Sequence, residues 1–286
     1  MIPLRSFLFV PGDSERKLAK GATTGSDALI LDLEDSVAPA RKPVARQMVT
    51  EYLQAAERAS QLWVRINPLD EAGLDDLAAV VRARPDGIMV PKIDGPADVQ
   101  RLSHYLSALE RRDGIATAIP ILPVATETAR APFRLGDFAN VPLPRLYGLT
   151  WGAEDLSAAL GASTNQDASG GWAFTYHMVR SACLMAAVAA GVQPVETLYA
   201  DFRDSAGLEK SCIAAASEGF TGRIAIHPDQ VAVINATFVP SAEAVAFAQR
   251  VVAAFAASEA GAVGMDGKML DMPHLKQAEA VLRRVR

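Results

Sequence analysis

Cysteine is nearly absent. The two present, Cys183 and Cys212, sit in alanine-rich runs, too few for a disulfide framework, and are expected to be small buried side chains or free thiols. Histidine is scarce as well: His104, His177, His227 and His274 show no H-x-x-x-H spacing and no cysteine pair lies near them, which argues against zinc. Basic charge is not in excess: 28 Lys and Arg against 33 Asp and Glu give a net charge of −5, which excludes a polycation built for nucleic acid. Long apolar runs are missing. Stretches such as Ala118–Ala125 and Leu184–Ala190 fall far short of the roughly 20 residues a membrane helix needs. The N-terminus has no charged-then-apolar leader pattern, so a soluble cytoplasmic chain with no membrane partner is expected. There is no G-x-x-x-x-G-K-[ST] phosphate loop, no fixed-period repeat and no heptad pattern.

What is present is apolar substance, 50% of 286 residues, enough for one large domain. Eight short runs rich in Val, Ile and Leu stop abruptly in polar or turn residues: Ser6–Val10, Ala28–Leu33, Leu62–Ile66, Gly87–Val90, Ile119–Ala125, Leu146–Trp151, Gln193–Tyr199 and Arg223–Ile226. Helical patterns lie between them, the first beginning near Ser14 with Asp13 or Ser14 placed to cap it. Eight strand–helix units predict an α/β fold, a (β/α)8 TIM barrel over residues 1–240. An open doubly wound sheet is the alternative, but Pro11-Gly12-Asp13-Ser14 after the first strand is not the Gly-rich turn that fold uses. Residues 241–286 exceed what eight units need. Ser241–Ala260 reads as one helix capped by Ser241 with Glu243 and Glu259 solvated, Gly261–Gly267 as a break, Lys268–Pro273 as extended and Leu275–Arg286 as a last helix. This C-terminal helical arm is expected to reach over the barrel mouth or onto a neighbouring subunit.

Barrel active sites form at the C-terminal ends of the strands. Those ends carry Asp13, Glu34, Asp35, Arg65, Lys92, Glu127, Glu154, Asp155, Asp201 and His227, while within the strands Arg65 reads as the exception in an otherwise nearly uncharged set. An arginine in a buried strand must be paired or face a polar cavity, so it either bridges to Glu34 or Asp35 or holds a substrate anion. Converging carboxylates repel unless a cation sits among them. Mg²⁺, which takes oxygen ligands and keeps waters, suits Glu127 and Asp155 at the ends of strands five and six. Gly161–Gly171 follows strand six and reads as a lid or a plain surface loop. His227 before Pro228 reads as a buried neutral histidine opening a helix. Lys92 reads as a phosphate ligand or a partner for a carboxylate, and admits a rival chemistry, a metal-free Schiff-base aldolase.

Phe7-Leu8-Phe9-Val10-Pro11-Gly12, Leu31-Asp32-Leu33-Glu34-Asp35-Ser36-Val37, Val64-Arg65-Ile66-Asn67-Pro68, Val90-Pro91-Lys92, Glu127-Thr128-Ala129, Gly152-Ala153-Glu154-Asp155-Leu156 and Ile226-His227-Pro228 occur in this order. Together they resemble the citrate lyase β-subunit-like family of acyl-CoA lyases, related to malyl-CoA and citramalyl-CoA lyases (the HpcH/HpaI aldolase group). The resemblance implies a Mg²⁺ site and reversible cleavage of a 3-hydroxyacyl thioester into acetyl-CoA and a 2-keto acid. It implies Glu127 and Asp155 as metal ligands, Arg65 on the thioester or enolate oxygen, and Glu34 and Asp35 as groups holding Arg65 or metal-bound water. Met269-Leu270-Asp271-Met272-Pro273 resembles the segment that carries an aspartate into a neighbouring subunit's site, which makes Asp271 the proton carrier in a homotrimer or homohexamer. Arg5, Lys17 and Lys20 are the basic residues assigned to the CoA phosphates. A citrate lyase β subunit acting on a carrier-protein thioester, an inert barrel in a multi-subunit lyase and a thioesterase acting on malyl-CoA are the alternatives.

Overall fold

The computed structural model describes residues 2–55, 58–258 and 260–285, so Glu259 and Arg286 lie outside the described residues. Apolar runs this short are buried on both faces only in a parallel sheet wrapped by helices. The chain realises that unit by unit: β1 (Ser6–Pro11), α1 (Glu15–Gly21), β2 (Ala28–Asp32), α2 (Lys42–Ala55), β3 (Gln61–Arg65), α3 (Gly73–Val80), β4 (Gly87–Val90), α4 (Pro96–Asp113), β5 (Ile121–Pro123), a 3-10 segment (Ala131–Ala139), β6 (Gly148–Thr150), α5 (Ala153–Leu160), α6 (Phe174–Ala189), β7 (Gln193–Glu196), α7 (Ser205–Glu218), β8 (Gly222–Ala225) and α8 (Pro228–Thr237). The strands pair in parallel in the order β5-β4-β3-β2-β1-β8-β7-β6. Parallel bridges Ile121↔Leu146 and Val124↔Thr150 join the two ends of that order. Tyr147 N–H donates to Ile121 O at 2.8 Å and Ala125 N–H to Thr150 O at 2.8 Å. The sheet is therefore closed into a (β/α)8 barrel.

Alternation along each strand splits the core in two. Leu8, Val10, Leu29, Leu31, Val64 and Leu149 face the helices. Phe7, Ile30, Trp63, Met89, Leu122, Val124, Val195 and Ile224 fill the interior. Phe7, Trp63 and Tyr147 meet edge to face there, with centroids 5.0–6.4 Å apart. Cys183 and Cys212 are buried among the outer set, and burial holds both thiols above the usual thiol range.

The tail adds α9 (Ala242–Ala256), β9 (Ala262–Met265), β10 (Lys268–Asp271) and α10 (Met272–Leu282). Ser241 Oγ accepts from Ala244 N–H at 3.2 Å, the expected cap. The expected break is instead an antiparallel hairpin turning at Asp266-Gly267, whose φ values of 51° and 73° suit a two-residue turn. Ala248, Val251, Phe255, Leu270 and Ala278 form a small core of their own. Pro228–Ala256 is apolar enough and long enough in total to cross a membrane, but residues 238–241 divide it into α8, packed on β1 and β8, and α9, packed on α10.

Two expectations, one of capping and one of burial, are corrected. Ser14 stands at the α1 N-cap position without a side-chain hydrogen bond, and Asp13 is paired with Arg41 at 3.4 Å. His227 does cap α8, its ring accepting from Asp229 N–H at 3.3 Å with Pro228 at the first turn. It is half-buried rather than buried, because it stacks on Phe202 at the surface, with centroids 4.7 Å apart.

Candidate active site

The strand-end residues converge at the C-terminal mouth. Arg65, the last residue of β3, points its guanidinium at Asp32, the last of β2, with Nε 2.7 Å from Oδ1 and Nη2 2.8 Å from Oδ2. Register pairs the two strand ends directly, Asp32 opposite Arg65. Arg65 Nη1 lies 2.9 Å from Glu34 Oε2, close as an ion pair but not in line for a hydrogen bond. Its guanidinium also sits 4.4 Å from the centre of the Phe9 ring. Burial alone would lower the pKa of Arg65, but Asp32, Glu34 and Glu127 outweigh it, so this group stays positive throughout the working range.

The strands carry more charge than the sequence reading allowed. Asp32 is fully buried; burial raises its carboxyl, but the Arg65 bonds prevail and hold it below the usual carboxylate range. Glu196 in β7 and Arg223 in β8 are buried as well. Glu196 accepts from Trp151 Nε1 at 2.6 Å and pairs with Arg180 at 2.6 Å, which fixes the wall of the site from behind. The partner expected for Arg65 was Glu34 or Asp35; Glu34 is one, and the bidentate partner is Asp32. Asp35 pairs instead with Lys92 at 3.3 Å.

Lys92 follows β4 in the left-handed region, with φ 51°. Its Nζ lies 2.6 Å from Glu34, 3.3 Å from Asp35 and 3.6 Å from Asp155, while its backbone N–H donates to Glu127 Oε2 at 2.7 Å. Burial opposes the ammonium, but Glu34, Asp155 and Asp35 raise its pKa above the ordinary lysine value. A Schiff-base lysine needs the reverse shift to supply neutral amine, so the geometry weighs against that chemistry.

Glu127, 6% exposed, faces the same space as Asp155. Burial first, then repulsion by Asp155 and Glu34, pushes its carboxyl up to about 8. A cation between Glu127 and Asp155 would relieve both causes. Among the described residues no cluster of three or more His, Cys, Asp and Glu side chains forms a protein-only metal cage. A pair of carboxylates completed by waters and substrate oxygens is the arrangement Mg²⁺ accepts, and these residues fit it.

The cavity they border holds about 70 Å³ and is lined by Phe9, Arg65, Met89, Val124, Glu127, Thr150, Trp151, Gly152, Ala153, Glu154, Asp155, Trp172, Thr197, Leu198 and Ile224. Thr150 Oγ1 is buried there without a hydrogen-bond partner, a state that costs about 1–3 kcal/mol unless something fills the need. Trp172 stacks edge to face on Trp151 at 5.2 Å and ends the glycine-rich loop, which Asp167 ties together by accepting from Ser169 N–H and Oγ and from Gly171 N–H.

Other assigned residues are not brought to this cavity. Arg5 stands before β1, at the opposite end of the barrel, and pairs with Asp27 at 2.7 Å, so it is corrected from a CoA-phosphate ligand to a structural ion pair. Lys17 and Lys20 are exposed on α1, outside the cavity lining. Asp201 is exposed and accepts from Arg203 N–H at 3.0 Å. Asp271 stands at the start of α10, with Oδ1 2.6 Å from His274 Nδ1, and does not line its own chain's cavity.

Comparison with known proteins shows the family. The family described as HpcH/HpaI aldolase/citrate lyase matches residues 5–228. The chain belongs to that family. It is by that membership a carbon–carbon lyase. This family member is 32% identical to the mitochondrial citramalyl-CoA lyase of Rattus norvegicus, over 98% of this chain and 86% of the relative. It is 34% identical to a (3S)-malyl-CoA thioesterase of Cereibacter sphaeroides, over 98% of this chain and 94% of the relative. The CitE protein of Mycobacterium tuberculosis, crystallised with magnesium, acetoacetate and coenzyme A, superposes with a TM-score of 0.78 at 35% identity, covering 98% of this chain and 97% of that one. The sequence reading missed Asp32, Thr150 and the Trp151–Glu196 support, while of its readings of Lys92 the structure shows the pairing with carboxylates. The signal for Asp32 was available: an Asp inside a buried strand, next to a strand carrying a buried Arg, needs that Arg.

Proposed function

We propose that this protein is a Mg²⁺-dependent acyl-CoA lyase that cleaves a 3-hydroxyacyl-CoA, citramalyl-CoA or malyl-CoA, reversibly into acetyl-CoA and a 2-keto acid. The observation that carries the reading is a permanently charged arginine, fixed by Asp32 and Glu34, on the same small cavity as the Glu127–Asp155 pair. Mg²⁺ held by Glu127 and Asp155 would supply Lewis-acid polarisation of the substrate's hydroxyl and of the keto group it becomes.

The chain's own residues do the rest. The substrate hydroxyl gives up its proton to a base at the mouth. The carbon–carbon bond breaks, and its electron pair moves into the thioester as an enolate. Charge then accumulates on the thioester oxygen, and Arg65 is the group aimed at it. Because Asp32 and Glu34 already hold the guanidinium, it stabilises that oxygen without reorganising. Lys92 keeps Glu34 and Asp35 in place and shares their charge. Phe9, Val124, Trp151 and Trp172 exclude water that would quench the enolate. The enolate carbon finally takes a proton, which we assign to Asp271 of a neighbouring subunit in a homotrimer or homohexamer, since Asp271 does not line its own cavity.

The test is keto-acid release, trapped with phenylhydrazine, from malyl-CoA and both citramalyl-CoA isomers with and without Mg²⁺. Mg²⁺-dependent glyoxylate or pyruvate is expected. Free CoA without keto acid would make the protein a thioesterase, and silence with all three thioesters would overturn the reading.

A further inference from the structure

The steps above leave Thr150 unused. Leu149 in β6 and Trp151 just after it belong to the outer core, while Thr150 pairs in register with Val195 and bridges Val124, two residues of the barrel interior. Thr150 is one of the residues that line the cavity, is 1% exposed, and has its Oγ1 buried with no hydrogen bond. Phe9, Met89, Val124, Leu198 and Ile224 form the apolar part of the cavity lining and Arg65, Glu127, Glu154, Asp155 and Thr197 its polar part, and none of them is hydrogen-bonded to Thr150 Oγ1. A valine would fill the same space without stranding a hydroxyl. The Thr150 hydroxyl therefore finds its partner only in what enters the cavity. Arg65, a strong donor on the same cavity, is already engaged by Asp32 and Glu34.

We propose that Thr150 is a substrate-contacting residue whose hydroxyl hydrogen-bonds an oxygen of the 2-keto-acid half, while the apolar floor receives the hydrogen or methyl group beside it. This rests on the lyase reading for the identity of the ligand. It does not rest on any step of bond cleavage.

Thr150→Val and Thr150→Ser test it. Thr150→Val is expected to fold with an unchanged or higher melting temperature, because it removes a stranded polar atom. Its affinity for glyoxylate or pyruvate in the presence of Mg²⁺, read by calorimetry, should fall about tenfold, the worth of one buried hydrogen bond. In the synthetic direction KM for the keto acid should rise by the same factor, with kcat moved less. Thr150→Ser should bind close to the wild type. Wild-type affinity in Thr150→Val, equal losses in both variants, or no keto-acid binding by the wild type would each overturn the proposal. Keto-acid binding that depends on Thr150 in a protein that cleaves no CoA thioester would sink the lyase reading and leave this contact standing. Normal lyase turnover by Thr150→Val with unchanged KM would do the opposite.

Discussion

Replacing Asp32 by asparagine removes one charge from the base of the site and keeps the shape. The carboxylate accepts four hydrogen bonds, from Arg65 Nε at 2.7 Å, Arg65 Nη2 at 2.8 Å, Glu34 N–H at 3.0 Å and Ser36 N–H at 3.1 Å. In Asp32→Asn the amide carbonyl oxygen keeps two of these, and the amide nitrogen faces two donors. Arg65, with a side chain only 12% exposed, is left with Glu34, which it shares with Lys92. Breaking a buried pair by removing one partner costs about 3–5 kcal/mol, and the lower end applies here because Glu34 remains. The sign with pH follows from the Asp32 carboxyl lying below its unfolded value of about 3.9. Its stabilisation is fully present above that value and is lost as pH falls through the lower folded value. Urea unfolding of wild type and Asp32→Asn, followed by tryptophan fluorescence, should show a gap of about 3 kcal/mol near neutral pH that narrows in strong acid. A gap under about 1 kcal/mol, no more than a surface ion pair gives, or one that does not narrow on acidification, would refute the argument.

Arg65→Lys keeps the charge but not the planar fork that meets Asp32, and keto-acid release should fall by about a hundredfold or more; near-normal turnover would return Arg65 to a purely structural role. Asp155→Ala removes a half-exposed carboxylate, so circular dichroism should be unchanged while Mg²⁺ binding by calorimetry is lost; retained binding would free Asp155 from the metal site. Gly87→Ala places a Cβ 2.3 Å from the Trp63 ring and should cost about 1–3 kcal/mol by denaturant titration, an effect absent if the ring has room to shift. Borohydride with pyruvate should leave Lys92 unmodified by mass spectrometry, because Glu34, Asp35 and Asp155 keep it charged; a trapped adduct at Lys92 would revive the Schiff-base chemistry.

The barrel was legible because eight apolar runs, each closed by turn residues, admit few arrangements once every one must be buried on both faces. Strand limits were read too long where apolar residues continue past the ladder, as in the fifth run, where Ile119 and Ala125 are buried but the strand is Ile121–Pro123. The hairpin after α9 was missed although Asp266-Gly267 is a strong turn pair, because glycines at 261, 264 and 267 read first as a simple break. Among the candidate site residues, Glu34, Arg65, Glu127 and Asp155 were singled out by position at strand ends, and the barrel brings them to one mouth. Arg5 was misplaced because a basic residue next to a strand gives no hint of which end of the barrel it occupies unless the strand's start is also read, and Arg5 precedes β1.

The sequence by itself determined the strand–helix order, the polar strand ends and the family motifs, since these are local patterns of burial and spacing. Which charge meets which was decided only by the closed barrel. Register sets Asp32 against Arg65, the left-handed turn at Lys92 carries one residue to both Glu34 and Glu127, and alternation on β6 turns Thr150 inward. Coulomb and desolvation energies depend on distances of a few ångströms and on the exclusion of water, and both arise only when strands distant in the chain are brought side by side.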